Sequence, residues 1–312
     1  MRILFMGTPD FAVPCLQRLI QGKQDVCAVF TQPDKPKGRG YQLAPPPVKV
    51  AAQQAGIPVY QPQSIKKDPQ VLGEIRALAP QLIVVVAYGK LLPPELLEIP
   101  PLGCVNIHAS LLPKYRGAGP IQWSVINGEE TTGVTSMFMA QGLDTGDMIL
   151  KCETPIGPDE TAGELHDRLS QLGAQCLSET LRLFEAGAVP RQAQDDSQSS
   201  YAPMLQKSLG ELDYARPVTE LYNLIRGVSP WPGAYTYLDG KLLKVHRARP
   251  VLEATGAPGE LLDSQRMLVG CQGGALEFLE VQLQGARRMS AQEFLRGKKL
   301  AAGIVLGRDT QN

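Results

Sequence analysis

The run Leu82-Ile83-Val84-Val85-Val86-Ala87 constrains the fold more than any other stretch of the chain. It is continuously apolar and rich in β-branched residues, so it offers no face to solvent. Such a strand is covered on both sides, the position of a central strand in a parallel sheet. The surrounding sequence extends the pattern. Arg2–Gly7 and Val26–Thr31 are apolar runs, Pro58–Gln61 is a shorter one, and Val105–His108 and Thr135–Met139 complete the series. Between them Phe11–Gly22, Val48–Gly56 and Pro69–Ala79 carry helical spacing. This alternation predicts an α/β fold with a doubly wound sheet. Ligands in such sheets sit beyond the carboxyl ends of the strands.

Further on, Thr161–Ala186 reads as one long helix, opened by the capping-box pattern Thr161-Ala162-Gly163-Glu164. Gln192–Pro203 has the composition of a linker. After a helical Val218–Arg226, the runs Tyr235–Leu238, Leu242–Ala248, Met267–Cys271 and Leu276–Gln282 are separated by Asp-Gly, Pro-Gly and Gly-Gly. That pattern predicts a small β-barrel of the OB type. The expected organisation is therefore a domain over 1–190, a linker over 191–206 and an OB-like domain over 207–312.

Whole-chain charge is balanced, 31 Lys/Arg against 31 Asp/Glu, but from Lys207 onward there are 14 basic and 11 acidic residues. The tilt favours a polyanionic partner for the C-terminal part. The six cysteines are scattered without a C-x-x-C pair, as expected of buried hydrophobes in a reducing compartment. Met1 leads directly into a strand-like run, which predicts no signal peptide, and no apolar stretch approaches a membrane span. A cytoplasmic monomer is expected.

The chemistry concentrates in Asn106-Ile107-His108-Ala109-Ser110. Residues two apart on a strand share a face, so an amide, an imidazole and a hydroxyl would point the same way at a strand end. That polar row suits acyl transfer better than a core. No H-x-x-x-H or H-E-x-x-H spacing supports a metal, and Ser110 lies outside any G-x-S-x-G elbow. Gly7-Thr8-Pro9 lacks the later glycines of a dinucleotide loop. Asp144, in Gly142-Leu143-Asp144-Thr145-Gly146, reads equally well as a turn residue or an orienting carboxylate. Residues 32–41 read as a long surface loop whose Lys35, Lys37 and Arg39 suit phosphates.

Asn106-x-His108, Ser110-Leu111-Leu112-Pro113, Arg116-Gly117 and Gly142-x-Asp144-x-Gly146 resemble the 10-formyltetrahydrofolate-dependent formyltransferase family. Gln32-Pro33-Asp34, Gly38-Arg39-Gly40, Val86-Ala87-Tyr88-Gly89, Gly119-Pro120-Ile121-Gln122 and Trp231-Pro232-Gly233-Ala234 narrow the resemblance to the branch whose acceptor is initiator methionyl-tRNA. Lys90 departs from it, standing where an apolar side chain is more usual. The resemblance implies a Rossmann-like catalytic domain joined to an OB-like one, no metal, and catalytic roles for Asn106, His108 and Asp144. It implies folate contacts from Ser110, Leu111, Leu112, Pro113, Tyr88, Gly89, Leu91 and Gln141. It implies tRNA contacts from Lys35, Lys37 and Arg39, and from Lys241, Lys244 and Arg247 in the C-terminal domain. The formyl group would pass directly to the amine through a tetrahedral centre, Asn106 donating to its oxygen and His108, steadied by Asp144, handling protons.

Overall fold

The computed structural model describes residues 1–37, 42–66 and 68–308, which fall into two compact units. The first comprises Met1–Ala118, Thr131–Pro155 and His166–Ala202. Its strands are β1 (Arg2–Gly7), β2 (Asp25–Phe30), β3 (Lys35–Lys37), β4 (Gln42–Ala44), β5 (Val59–Tyr60), β6 (Leu82–Val86), β7 (Cys104–His108), β8 (Arg116–Gly117), β9 (Thr131–Phe138), β10 (Met148–Pro155) and β11 (Tyr201–Ala202). Its helices are α1 (Val13–Gln21), α2 (Pro47–Gln54), α3 (Pro69–Leu78), the short α4 (Pro94–Leu97) and, from His166 onward, most of the long helix Ala162–Glu185.

Seven strands form one sheet in the order β10-β9-β7-β6-β1-β2-β5. The members from β5 to β7 are mutually parallel, and all five residues of β6 are buried. From β1 the chain winds outward to β2 and β5, then returns to add β6 and β7 on the other side. The switch point thus lies between β1 and β6, where a crevice opens at the carboxyl ends. There the Tyr88 carbonyl accepts from Thr8 Oγ1 at 3.1 Å and Gln32 Nε2 at 3.0 Å, tying three strand ends together.

Three expectations are revised in this unit. The apolar run 135–139 belongs to a longer strand that runs antiparallel to β7, with Asn106 opposite Met137 and His108 opposite Thr135. A parallel return needs a helix packed on the sheet, whereas the intervening residues 119–130 belong to the second unit. The loop expected over 32–41 contains β3, whose residues Lys35, Pro36 and Lys37 pair with Ala44, Leu43 and Gln42 of β4. Arg39 lies outside the described residues, as does the side chain of Lys37. Finally, the polar segment 192–203 does not hang free. Gln192 bridges to Met148, and β11 pairs with β8.

The second unit comprises Gly119–Glu130, Ile156–Leu165 and the chain from Pro203 onward. It contains α5 (Pro120–Ile126), the first turn of α6 (Ala162–Glu185), α7 (Val218–Gly227) and α8 (Ala291–Gly297). Its strands β12 (Ala234–Leu238), β13 (Lys241–Val251), β14 (Leu261–Asp263), β15 (Leu268–Cys271), β16 (Gly274–Leu283) and β17 (Met289–Ser290) pair only antiparallel. They run in the order β12-β13-β16-β15-β14, with β17 also on β16. Leu221, Leu224, Leu243, Val245, Leu276 and Phe278 are buried in its core. The β12–β13 turn places Asp239 and Gly240 at φ 49° and 69°, the left-handed pair that an Asp-Gly hairpin favours.

Candidate active site

Strand β7 delivers Asn106 and His108 to the carboxyl edge, alternating with the buried apolar Val105 and Ile107. His108 is 6% exposed. Its Nε2 lies 2.9 Å from the Tyr115 carbonyl oxygen. A carbonyl only accepts, so Nε2 carries a proton and Nδ1 is the basic nitrogen of the neutral ring. Nδ1 faces Asp144 Oδ2 at 3.7 Å, and the two side chains are only 7% and 12% exposed. The gap is longer than a hydrogen bond, so the two groups face each other without being joined.

Asp144 is held by backbone. The Gly117 N–H donates to its Oδ2 at 2.8 Å. Gly117 has φ 115°, and a Cβ there would come within 2.7 Å of both the Ala202 oxygen and the Tyr201 ring. Asp144 itself is left-handed at φ 53°. Gly146 closes the same loop where a Cβ would lie 1.8 Å from the Phe138 oxygen. The run of glycines around Asp144 is thus a steric requirement, and the loop they permit sets the carboxylate opposite the imidazole.

The Asn106 amide makes no hydrogen bond among the described residues and is only partly buried, so its donor remains available. Ser110, by contrast, is fully buried with its hydroxyl given to the Lys114 carbonyl at 2.7 Å, a turn-locking role. Leu112 is buried against Met137 and Met148, with its N–H on Thr135 Oγ1 at 3.1 Å. Leu111 and Pro113 remain partly exposed.

On the neighbouring β6 end, Tyr88 is buried with Leu92, Leu96 and Cys104, and the partly buried Met139 packs against them. The Tyr88 hydroxyl has no hydrogen-bond partner among the described residues, and burial pushes its pKa up to about 12. Gly89, Leu91 and Gln141 are exposed in the adjoining loops. Lys90 donates to the Pro62 and Gln63 carbonyls; burial and, secondarily, the Lys35 ammonium hold it below the ordinary lysine range. Its departure from the apolar pattern therefore serves a local tie between β6 and the chain after β5.

The basic positions are dispersed. Lys35 is exposed on β3 of the first unit; Lys241, Lys244 and Arg247 are exposed on β13 of the second. Two groups escaped the sequence reading altogether. Gln194 Nε2 donates to the Asp144 and Gly146 carbonyls, each at 2.8 Å, and Ser200 Oγ accepts from the Tyr115 N–H at 2.9 Å. Both lie in the segment whose Gln/Ser/Asp composition suggested a linker, and composition cannot distinguish a free polar chain from one bonded to a loop.

The geometry offers a neutral amide donor and a base whose proton-accepting nitrogen faces a carboxylate, beside a buried apolar cluster that encloses the Tyr88 hydroxyl. Comparison with known proteins agrees. Residues 1–181 match the family model for "Formyl transferase" and residues 204–299 that for "Formyl transferase, C-terminal domain". Curated methionyl-tRNA formyltransferases from Geotalea daltonii and Geobacter sulfurreducens are 54% and 55% identical over 309 residues, covering 98% of this chain and 98% and 97% of theirs. The crystal structure of an N-formyltransferase from Helicobacter canadensis, in complex with folinic acid and dTDP-3-aminofucose, shares the fold with a TM-score of 0.68 at 17% identity, over 93% of this chain and 100% of that one. This chain belongs to the formyl transferase family, within the group formed by the methionyl-tRNA formyltransferases.

Proposed function

We infer that this chain transfers the formyl group of 10-formyltetrahydrofolate to the free α-amino group of methionyl-tRNA, the step that prepares initiator tRNA for translation. The observation that carries this reading is full-length identity above one half to curated methionyl-tRNA formyltransferases. The Asn106 amide, without a hydrogen-bond partner among the described residues, and the exposed Gly89, Leu91 and Gln141 are proposed to meet the folate, with the partly exposed Leu111 and Pro113 beside them. The buried Tyr88, Ser110 and Leu112 are proposed to shape that site from beneath.

The folate supplies the formyl carbon and, in N10, the leaving nitrogen. The methionyl amine bonds to that carbon while the carbon–N10 bond breaks, so the protein needs no nucleophile of its own. Asn106 donates to the oxygen that gains charge; one such donor is typically worth about 3 kcal/mol. Nδ1 of His108 takes the proton leaving the amine, and Asp144 at 3.7 Å stabilises the resulting imidazolium. His108 can then return a proton towards N10, which balances the transfer.

Lys35, Lys37 and Arg39 are proposed to meet the acceptor end of the tRNA, and Lys241, Lys244 and Arg247 its backbone. Arg249 and Lys298 already pair with Glu277 and Asp239 and are weaker choices. We assign catalysis to 1–190 and tRNA binding to an OB-like 207–312, joined through 191–206, in a cytoplasmic monomer. No helix among the described residues is long and apolar enough to cross a membrane. The test is to supply 10-formyltetrahydrofolate with charged initiator tRNA, glycinamide ribonucleotide or an amino-sugar nucleotide in parallel. Transfer to the tRNA is expected; transfer only to a small amine overturns the reading.

A further inference from the structure

We propose that Gln194 and Ser200 are positioning residues of the His108–Asp144 pair, making segment 194–202 a strap that sets the geometry of the reacting centre. This rests on the reading of that pair as the centre of formyl transfer.

The argument starts from how each member of the pair is held. His108 is fixed by the Tyr115 carbonyl and Asp144 by the Gly117 N–H, so backbone atoms of a single three-residue run set both. That run is conformationally costly. Tyr115 has φ 60° and Gly117 φ 115°, and Asp144 opposite them has φ 53°. A non-glycine residue in such a region is strained and persists only where its surroundings impose it.

The strap supplies that imposition from both sides. Ser200 Oγ accepts from the Tyr115 N–H and the Ser200 carbonyl from the Arg116 N–H, both at 2.9 Å. Immediately after the run, the Ala118 N–H donates to the Ala202 carbonyl at 2.9 Å, so three backbone donors end on the strap. On the other side, the two N–H donors of Gln194 go to the Asp144 and Gly146 carbonyls. The Gln194 oxygen accepts from Arg116 Nε and Nη2 at 3.0 and 2.8 Å, so one side chain joins the Asp144 loop to the run that holds His108. Glutamine fits this place because it alone among side chains of its length presents two donors and an acceptor without charge. Asp196 adds an ion pair to Arg116 at 2.7 Å, but it is 83% exposed and contributes little.

Loss of either anchor should therefore loosen the spacing between Nδ1 and Oδ2 without removing any group that reacts. A misplacement of about 1 Å typically costs up to about 100-fold in rate. The variants are Gln194→Ala, Gln194→Glu, Ser200→Ala and Ser200→Thr, with Asp144→Asn alongside, all in the full chain. The readouts are single-turnover formyl transfer, KM for folate and tRNA, thermal melting, and the imidazole 15N–1H NMR correlations of His108, which is one of only three histidines.

Gln194→Ala, Gln194→Glu and Ser200→Ala are expected to slow turnover by about 10- to 100-fold. KM should change less than about threefold, the His108 correlations should move, and Ser200→Thr should restore rate and spectrum. Wild-type rate in the Gln194 and Ser200→Ala variants, with Asp144→Asn impaired, overturns the strap while leaving the centre intact. Unaltered His108 correlations overturn it independently of activity. A full rate in Asp144→Asn fails the underlying reading instead. If Gln194→Ala does not fold, Ser200→Ala and its Thr rescue decide the matter.

Discussion

Replacing Asp144 with Asn isolates one quantity, the charge that faces His108. The carboxamide is nearly isosteric and retains an oxygen to accept the Gly117 N–H, so the left-handed loop has no reason to move. What disappears is attraction between a carboxylate and an imidazolium at 3.7 Å, with both side chains largely buried. At an effective dielectric constant near 20, Coulomb's law gives a ceiling of about 4.5 kcal/mol for that separation. At 1.36 kcal/mol per tenfold in rate, the ceiling corresponds to about three decades. The carbonyl dipole of Asn, kept facing Nδ1 by the Gly117 N–H, partly replaces the lost charge, so the expected fall in single-turnover rate is roughly 100- to 1000-fold. Rapid quenching of protein mixed with charged initiator tRNA and saturating 10-formyltetrahydrofolate would read it directly, repeated across neutral pH. Folate KM and melting temperature should stay close to wild type. A variant rate within threefold of wild type at every pH would refute the electrostatic argument, since no dielectric compatible with such burial makes so close a charge irrelevant.

Three further outcomes follow from particular contacts. Asn106→Ala should reduce single-turnover rate by about 100- to 1000-fold with tRNA affinity unchanged, and a filter-binding assay beside the kinetics checks both halves. Gly117→Ala forces a Cβ into the Ala202 oxygen and the Tyr201 ring, so it should lower the melting temperature and the rate together; an unchanged melt contradicts that clash. Glu277 accepts from Arg266 at 2.7 Å and Arg249 at 2.8 Å, and these guanidiniums, Arg266 foremost, hold its carboxyl below the ordinary 4.5. A depressed acid stabilises the fold fully above its unfolded value and loses that contribution as pH falls through the folded one. Glu277→Gln should therefore lower stability at neutral pH and flatten its decline below about pH 4.5, and melting curves that stay parallel to wild type would contradict this.

Much of the fold was legible because the physics is local. The unbroken apolar run at β6 can only be a strand covered on both faces, and Asp239-Gly240 is a turn wherever it joins two alternating runs. Asn106 and His108 share an edge because strand periodicity requires it. The direction of β9 was not legible, because it depends on where residues 119–130 pack and not on the strand's own composition. The hairpin of β3 and β4 was hidden because three-residue strands of Lys, Pro and Gln carry no hydrophobic alternation. The β-rich character of the second unit was foreseen from four short runs and their turns, whereas its six strands and their order come from pairing across distant residues such as Val245 with Val281.

The candidate centre divides along the same line. Residue type and spacing along one strand were enough to nominate an amide and an imidazole and to set aside metal, dinucleotide and serine-nucleophile chemistry. They could not tell whether Asp144, far along the chain, turned a loop or faced a base. That was decided in three dimensions by the Tyr115 carbonyl, the Gly117 N–H and the reach of Gln194 from a segment that looked like a tether. Every residue but proline carries the same backbone donor and acceptor, so a sequence bears no mark of which ones will be spent on holding the candidate pair. Only folding, by bringing these stretches within hydrogen-bonding distance, selects them.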